Sequence, residues 1–398
     1  MYEPHAERGP PAQRGQPRVA VLGLGETGRL AAIAFADAGF TVLGYEPDAA
    51  RRDAVGHTPG VRVAPRWDAP SGVEAALLCV GTPLLGTTPD PSALLNAVRE
   101  VGARGAPPLV VIESTVAPGF LEEEILPLLP PGTLLAIAPE RVDPGRTTPA
   151  YVDIPRVVGG VGAEATAAAV ALYRRAGFVV YPATAGVAVY TKHLENAFRL
   201  VNIALLGEFA ELCARDGVNI DAVVEGAATK PFGYTPFRAG PGAGGECIPV
   251  DPAYLAGYAA NLGVPVPTVA AALTSNRARP VRLAHTILSR LPRHARRVLL
   301  VGVAYKPGTA DLRETPARPL AEALEAGGCE VAWWDAQVHD FRGTKALPPD
   351  RWEGIVDALV LLHPPPPEAQ RWLTHASIPV FDVCGANATH TADPRMRL

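Results

Sequence analysis

The chain has 398 residues, of which 48% are hydrophobic and 19% charged, enough apolar material for two or three packed domains and far from a disordered composition. A net charge of −4 and a pI near 6.2 exclude the broad basic field that nucleic-acid binding needs. No apolar run approaches the roughly 18 residues of a membrane span, so neither nucleic acid nor membrane is an expected partner. Residues 1–16 are polar and Pro/Gly-rich, which reads as a flexible tail rather than a secretory signal and gives the cytoplasm as the default compartment. Five scattered cysteines lack paired metal-ligand spacing, so neither a disulfide framework nor a metal site is predicted.

From Arg18 the sequence RVAVLGLGETGRLAAIAFADAGFTVLGYE runs through an apolar strand, a glycine turn, an Ala/Leu-rich helix and a second strand ending at Glu46. This is a βαβ unit. The strand-like segments AALLCVGT, PLVVIEST and TLLAIAP follow, separated by helical stretches, and predict a parallel sheet covered on both faces. Residues 17–185 form this first, doubly wound domain. Between Val187 and Gly217 the pattern becomes one long helix, with Leu194, Phe198, Val201, Leu205, Phe209 and Leu212 at helical spacing. Its apolar residues extend around more than one face, which predicts burial against a second chain in a homodimer.

Asn219 is placed to cap a helix ending near Ala228. The loop KPFGYTPFRAGPGAGGECIPVDP comes next, too long for a mere connection, and helical patterns resume from Ala253 to about Leu291. The segment RVLLVGVAYKPG then repeats the opening motif of strand and glycine turn, with EVAWWD and ALVLL as later strands. The expected fold is therefore α/β: two Rossmann-like doubly wound domains, 17–185 and 293–398, joined by a central helical domain, 186–292.

Gly23, Gly25 and Gly28 form G-x-G-x-x-G between a strand and a helix. Such glycines permit a tight turn and let a pyrophosphate approach backbone N–H groups at the helix N-terminus. Glu46 stands at the end of the second strand, where a carboxylate accepts bonds from ribose hydroxyls and repels a 2′-phosphate, favouring NAD over NADP. The nearby cation Arg51 argues in the other direction.

Lysine is rare. Of 36 Lys and Arg residues only Lys192, Lys230, Lys306 and Lys345 are lysines, so positions that keep an ammonium are site candidates. Lys192 and Asn196 are one turn apart on the long helix. Cys247 follows paired glycines and precedes Asp251 by four residues, which brings a thiol and a carboxylate together. On chemistry alone Cys247 reads equally as a nucleophile or as a buried small apolar side chain.

Several ordered blocks carry a resemblance: GLGETG, CVGTPL, ESTVAPG, PERVDPG, TKHLENAFRLVNIAL, TKPFGY, GPGAGGECIPVDP and AYKPGTADLRETPA. Together, over nearly the full length, they resemble the UDP-glucose/GDP-mannose dehydrogenase family, most of all its UDP-N-acetylhexosamine 6-dehydrogenase branch. The resemblance implies oxidation of a sugar C6 alcohol to a carboxylate with two NAD⁺. Cys247 would be the nucleophile, passing through a thiohemiacetal and a thioester. Asp251 would act with water as a base, Lys192 and Asn196 would stabilise the C6 oxyanion, and Thr115 and Glu140 would hold the water.

The cofactor would contact Gly23, Gly25, Glu26, Thr27, Gly28, Glu46, Arg51, Thr82, Thr115 and Arg313. The substrate would contact Lys192, Asn196, Lys230, Phe237, Arg238, Gly244 and Lys306. Three departures stand out: Val189 replaces a Glu before Lys192, Glu246 replaces His or Ser before Cys247, and Asp382-Val383-Cys384 lacks the expected Arg. An inward-facing Glu246 would raise the thiol pKa. These departures motivate two rival readings, a two-electron or atypical nucleotide-sugar dehydrogenase and a non-catalytic nucleotide-sugar-binding protein on the same fold.

Overall fold

The computed structural model describes residues 17–143, 146, 148–365, 367, 378–385 and 397–398; the expected tail at 1–16 lies outside the described residues. The chain divides into two compact units, the residues up to Glu195 with Gly257–Gly263, and Asn196–Ala256 with Val264–Leu398.

The first unit runs β1 (Arg18–Leu22), α1 (Glu26–Asp37), β2 (Thr41–Tyr45), α2 (Ala49–Gly56), β3 (Val61–Ala64), β4 (Val73–Leu78), the short hairpin strands β5 (Leu84–Leu85) and β6 (Thr88–Pro89), and α3 (Ser92–Arg104). It continues through β7 (Leu109–Ile112), β8 (Leu134–Ile137), β9 (Arg156–Gly160), α4 (Ala163–Arg175) and β10 (Val180–Thr184). The eight-stranded sheet has the order β10-β9-β8-β7-β4-β1-β2-β3. Alternate strand residues point to opposite faces. Val19, Val21, Ala75 and Leu77 pack with Phe35 and Tyr173 on one side, while Ala20, Leu22, Ala76 and Leu78 pack with Leu94 and Val98 on the other. Strands buried on both faces therefore read as continuous apolar runs.

One strand pairing corrects the expected all-parallel sheet, for β8 and β9 are antiparallel. A parallel return needs a crossover, usually a helix. Between these two strands the described residues form only the 3₁₀ turn Tyr151–Asp153, and the chain doubles back instead.

Then comes α5 (Ala185–Asp216), the long helix expected from the periodicity, 32 residues in length. Beyond it, the second unit holds α6 (Ile220–Ala228), α8 (Pro267–Arg290), β11 (Arg297–Val301), α9 (Ala317–Ala326), β12 (Glu330–Trp334), β13 (Ala358–Leu361) and β14 (Val380–Asp382), and α7 (Asp251–Asn261) begins in it. The Asn219 side chain accepts from the Asp221 N–H and so caps α6. The sheet order is β12-β11-β13-β14, all parallel. Leu283, Ile287, Leu320 and Leu324 of α8 and α9 cover one face with Val298 and Leu300, and Trp352 packs with Leu299 and Val301 on the other.

In both sheets the strand order reverses beside the first strand, at β1/β4 and at β11/β13. Ligands in open α/β sheets bind at the carboxyl ends of the strands at this reversal.

Candidate active site

The turn after β1 is built for close approach. Gly23 adopts φ +85°, and a Cβ there would lie 2.7 Å from the Cys79 carbonyl oxygen; its N–H donates to Tyr45 O at 2.8 Å. A Cβ on Gly28 would lie 1.8 Å from Gly23 O, whereas one on Gly25, the residue preceding α1, would meet nothing within 4 Å. Gly23 and Gly28 thus hold the turn, and Gly25 leaves open space at the N-terminus of α1, where an anionic pyrophosphate fits. Glu26 is exposed and Thr27 half-buried in the same turn. Buried Glu46 accepts from Leu24 N at 2.9 Å and Asp48 N at 3.1 Å, which aims the carboxylate at the loop. Arg51 is exposed, 3.9 Å from that carboxylate, and balances its charge more than it opens a phosphate site.

At the carboxyl ends of β4, β7 and β8 the structure brings together Thr82, Thr115, Glu140 and Lys192. Thr82 Oγ1 donates to Thr115 O at 2.9 Å. Lys192 is buried and its Nζ donates to Glu140 O at 2.6 Å; the next residue, His193, bonds through Nε2 to Val116 O at 2.8 Å. The Glu140 carboxylate is turned back by a bond from Val142 N–H. Val189 is packed in the core of this unit, so the apolar residue here serves packing.

Beneath lies a buried polar cluster that sequence reading did not find. Glu113 and Arg156 pair at 3.4 Å, both almost fully buried, and Tyr173 donates to Glu113. Burial pushes the Glu113 carboxyl above its usual range, opposed by the Arg156 charge. Burial also pushes the Cys79 thiol well up, and its side chain packs against the core under the glycine turn.

In the second unit, Asp251 opens α7 and is 1% exposed. Its N–H donates to Cys247 O at 2.9 Å, and Asn196 Nδ2 donates to its Oδ2 at 2.5 Å. The thiol-bearing turn, the carboxylate and the amide thus form one bonded assembly. Cys247 itself is only half-buried, so it is not the sealed core residue that one of its two readings required. Gly244 is required by packing, since a Cβ would lie 2.5 Å from Glu314 O; Gly245 has φ +80° and lies against the Tyr305 ring.

Glu246 does not present a free charge beside the thiol. Its carboxylate pairs with Arg313, which is also held by Asp311. Arg313, expected to reach the cofactor, thus has its guanidinium engaged by two carboxylates of its own unit. Lys306 is half-buried, and Lys230 and Arg238 are exposed. Lys230 lies 5.3 Å over the Phe232 ring, and Phe237 stacks edge-on with Phe198 at 5.8 Å. No Arg stands two residues after Asp382, but Arg397 lies beside that segment: its NH1 donates to Asp382 O and Val383 O at 3.3 and 2.8 Å and its Nε donates to Asp221 at 2.7 Å.

The second glycine turn copies the first. Gly302 has φ +85° and its N–H donates to Trp334 O at 2.8 Å, while Asp335 accepts from Val303 N and Ala304 N at 2.9 and 3.2 Å. Asp335 follows β12 as Glu46 follows β2, an acid at a strand end that the sequence itself displays. Among the described residues, no group of three or more His, Cys, Asp or Glu could hold a metal ion, and no helix is long and apolar enough to cross a membrane.

Comparison with known proteins gives the family. Three family models match consecutive segments: the NAD binding domain of the UDP-glucose/GDP-mannose dehydrogenase family at residues 66–177, its central domain at 186–278 and its UDP binding domain at 299–362. The UDP-N-acetyl-D-mannosamine dehydrogenase of Pyrococcus horikoshii is 36% identical, over 86% of this chain and 88% of that protein. The UDP-N-acetyl-D-glucosamine 6-dehydrogenase of Pseudomonas aeruginosa is 28% identical, over 86% and 89%. A solved structure of UDP-D-ManNAc dehydrogenase from Pyrococcus horikoshii superposes with a TM-score of 0.81 at 32% identity, covering 93% of this chain and 96% of that one.

The chain therefore belongs to the UDP-glucose/GDP-mannose dehydrogenase family. It is an NAD-dependent nucleotide-sugar 6-dehydrogenase, an α/β protein with NAD-binding, central helical and UDP-binding parts.

Proposed function

We propose that the protein oxidises the C6 hydroxyl of a UDP-N-acetylhexosamine, foremost UDP-N-acetylmannosamine, through the aldehyde to the uronate. The substrate assignment is supported by the relatives named above. The mechanism rests on one observation: the Cys247 turn, Asp251 and Asn196 are joined by hydrogen bonds at the start of α7. Bound NAD⁺ supplies the hydride acceptor for both oxidations. The remaining chemistry belongs to the chain.

Lys192 and Asn196, one turn apart on α5, stabilise negative charge on the C6 oxygen, and Asp251 takes the hydroxyl proton through water. The Cys247 thiolate then adds to the aldehyde carbon, so the aldehyde does not escape. After the second oxidation the carbon is a thioester, and water held by Thr115 and Glu140 adds to it and expels the thiolate. Gly23, Gly25, Glu26, Thr27, Gly28, Glu46, Arg51, Thr82, Thr115 and Arg313 are assigned to the cofactor. Lys230, Phe237, Arg238, Gly244 and Lys306 are assigned to the nucleotide-sugar. The assignment divides the chain into an NAD-binding part at 17–185, a central part at 186–292 and a nucleotide-sugar part at 293–398.

A homodimer through α5 completes the proposal. Leu194, Phe198, Leu205, Phe209 and Leu212 are 45% or more exposed along that helix, a stripe of the kind that a second chain covers. Incubation with NAD⁺ and a panel of UDP- and GDP-sugars tests the substrate. Turnover of UDP-N-acetylmannosamine above UDP-glucose and GDP-mannose is expected; preference for either of the latter would overturn the assignment.

A further inference from the structure

The loop of residues 240–247 leads into the Cys247 turn yet contains no helix or strand. It is rich in glycine, so it has few side chains with which to fix its own shape. Two buried polar residues of α8 supply what it lacks. Asn276, 7% exposed in the middle of the helix, makes a two-way bond to one residue of the loop. Its Oδ1 accepts from Ala243 N at 2.7 Å and its Nδ2 donates to Ala243 O at 3.0 Å.

One turn on, Arg279 is 3% exposed. Its Nε donates to Gly240 O at 3.3 Å, and its charge is met by Glu211 on α5 at 2.7 Å. Gly242, at φ +124°, lies between these anchors, where a Cβ would stand 3.4 Å from both the main-chain and side-chain oxygens of Asn276. Pro280 sits four residues after Asn276 inside the helix and has no N–H to offer the Asn276 carbonyl, so the helix is polar on the side where the loop approaches.

Burying an amide and a guanidinium is costly unless they are bonded. An apolar pair would hold α8 to α5 at lower desolvation cost. These two side chains instead bond the main chain of a loop that continues directly into the turn of Gly244, Gly245 and Cys247. We infer that Asn276 and Arg279 are positioning residues for the reaction: they hold residues 240–243 so that the following turn presents the Cys247 thiol in its working orientation. The inference rests on the proposed role of Cys247 and adds to it two residues on a different element, bonded to the main chain that leads to the thiol.

Asn276→Ala, Asn276→Asp and Arg279→Met separate this role from simple support of the fold. Asn276→Asp keeps an acceptor for Ala243 N–H and loses the donor; Arg279→Met fills the volume without the bonds. In the full-length protein, Asn276→Ala is expected to lower kcat at least tenfold with KM for the UDP-sugar and the Kd for NAD⁺ changed less than threefold. Asn276→Asp should fall between Asn276→Ala and the parent, which also identifies the donor bond if the alanine form does not fold. Hydrogen exchange across 240–247 should rise in both, and alkylation of Cys247 by iodoacetamide, read by peptide mass, should change in rate. These two readouts need no turnover, so they remain decisive if Cys247 is not the nucleophile. Parent-like exchange, alkylation and kcat in Asn276→Asp and Arg279→Met would overturn the inference, as would equal losses in kcat, KM and NAD⁺ affinity.

Discussion

Cys247 carries the proposed chemistry, and its replacement has a defined consequence. In Cys247→Ser the weaker nucleophile cannot pass through a thioester, so acid formation should fall by at least a hundredfold while NAD⁺ binding persists. Product mass after a single turnover checks this; undiminished acid would remove the thiol from the mechanism. The glycines of the first turn give a paired prediction. Gly28→Ala drives a methyl into Gly23 O and should cost about 1–3 kcal/mol of stability, visible as a lowered Tm. Gly25→Ala meets no protein atom, so Tm should hold and only the Kd for NAD⁺ should rise. A fall in Tm for Gly25→Ala, or none for Gly28→Ala, would contradict the division of roles drawn from the turn.

Residue identity made part of this site legible in the sequence. The glycine spacing, the acid at the end of β2, the scarce lysines and the Cys-to-Asp interval each imply a chemistry by their type alone. Asn276, Arg279 and the Glu113–Arg156 pair were not legible. Their significance depends on burial and on main-chain partners distant in sequence, and nothing in an isolated Asn or Arg announces either. The ion pair of Glu246 is hidden from the sequence for the same reason, since its partner Arg313 is 67 positions away in the chain.

At the scale of elements, periodicity gave α5 within two residues at its start, because a long helix sums many weak signals. It could not give the antiparallel β8–β9 pairing, which depends on what the connecting segment does rather than on the strands. Helix α6 depends on a tie to the end of the chain through Asp221 and Arg397. The bond from Arg397, aided by the charges of Arg397 and Arg238, holds the Asp221 carboxyl below its usual range against desolvation. A depressed folded-state pKa contributes stability that is present above the unfolded value and lost as pH falls through the folded one. Asp221→Asn should therefore lower Tm at pH 7, and the gap to the parent should close as pH drops below about 4. A gap independent of pH in thermal melts would show that the ion pair contributes nothing.

For the whole molecule, two glycine-turn sheets built on the same main-chain pattern provide separate places for two nucleotides, and α5 carries an apolar stripe. The stripe predicts self-association, and the double substitution Phe209→Glu with Leu212→Glu should convert a dimer to monomers in light scattering. A parent protein that is already monomeric would exclude α5 as an interface. The central claim is the four-electron oxidation, and stoichiometry tests it most directly. Purified protein given limiting UDP-N-acetylmannosamine and excess NAD⁺ should yield two NADH per sugar with the 6-carboxylate as the sole product. One NADH per sugar with released aldehyde, or no NADH despite measured NAD⁺ binding, would contradict it.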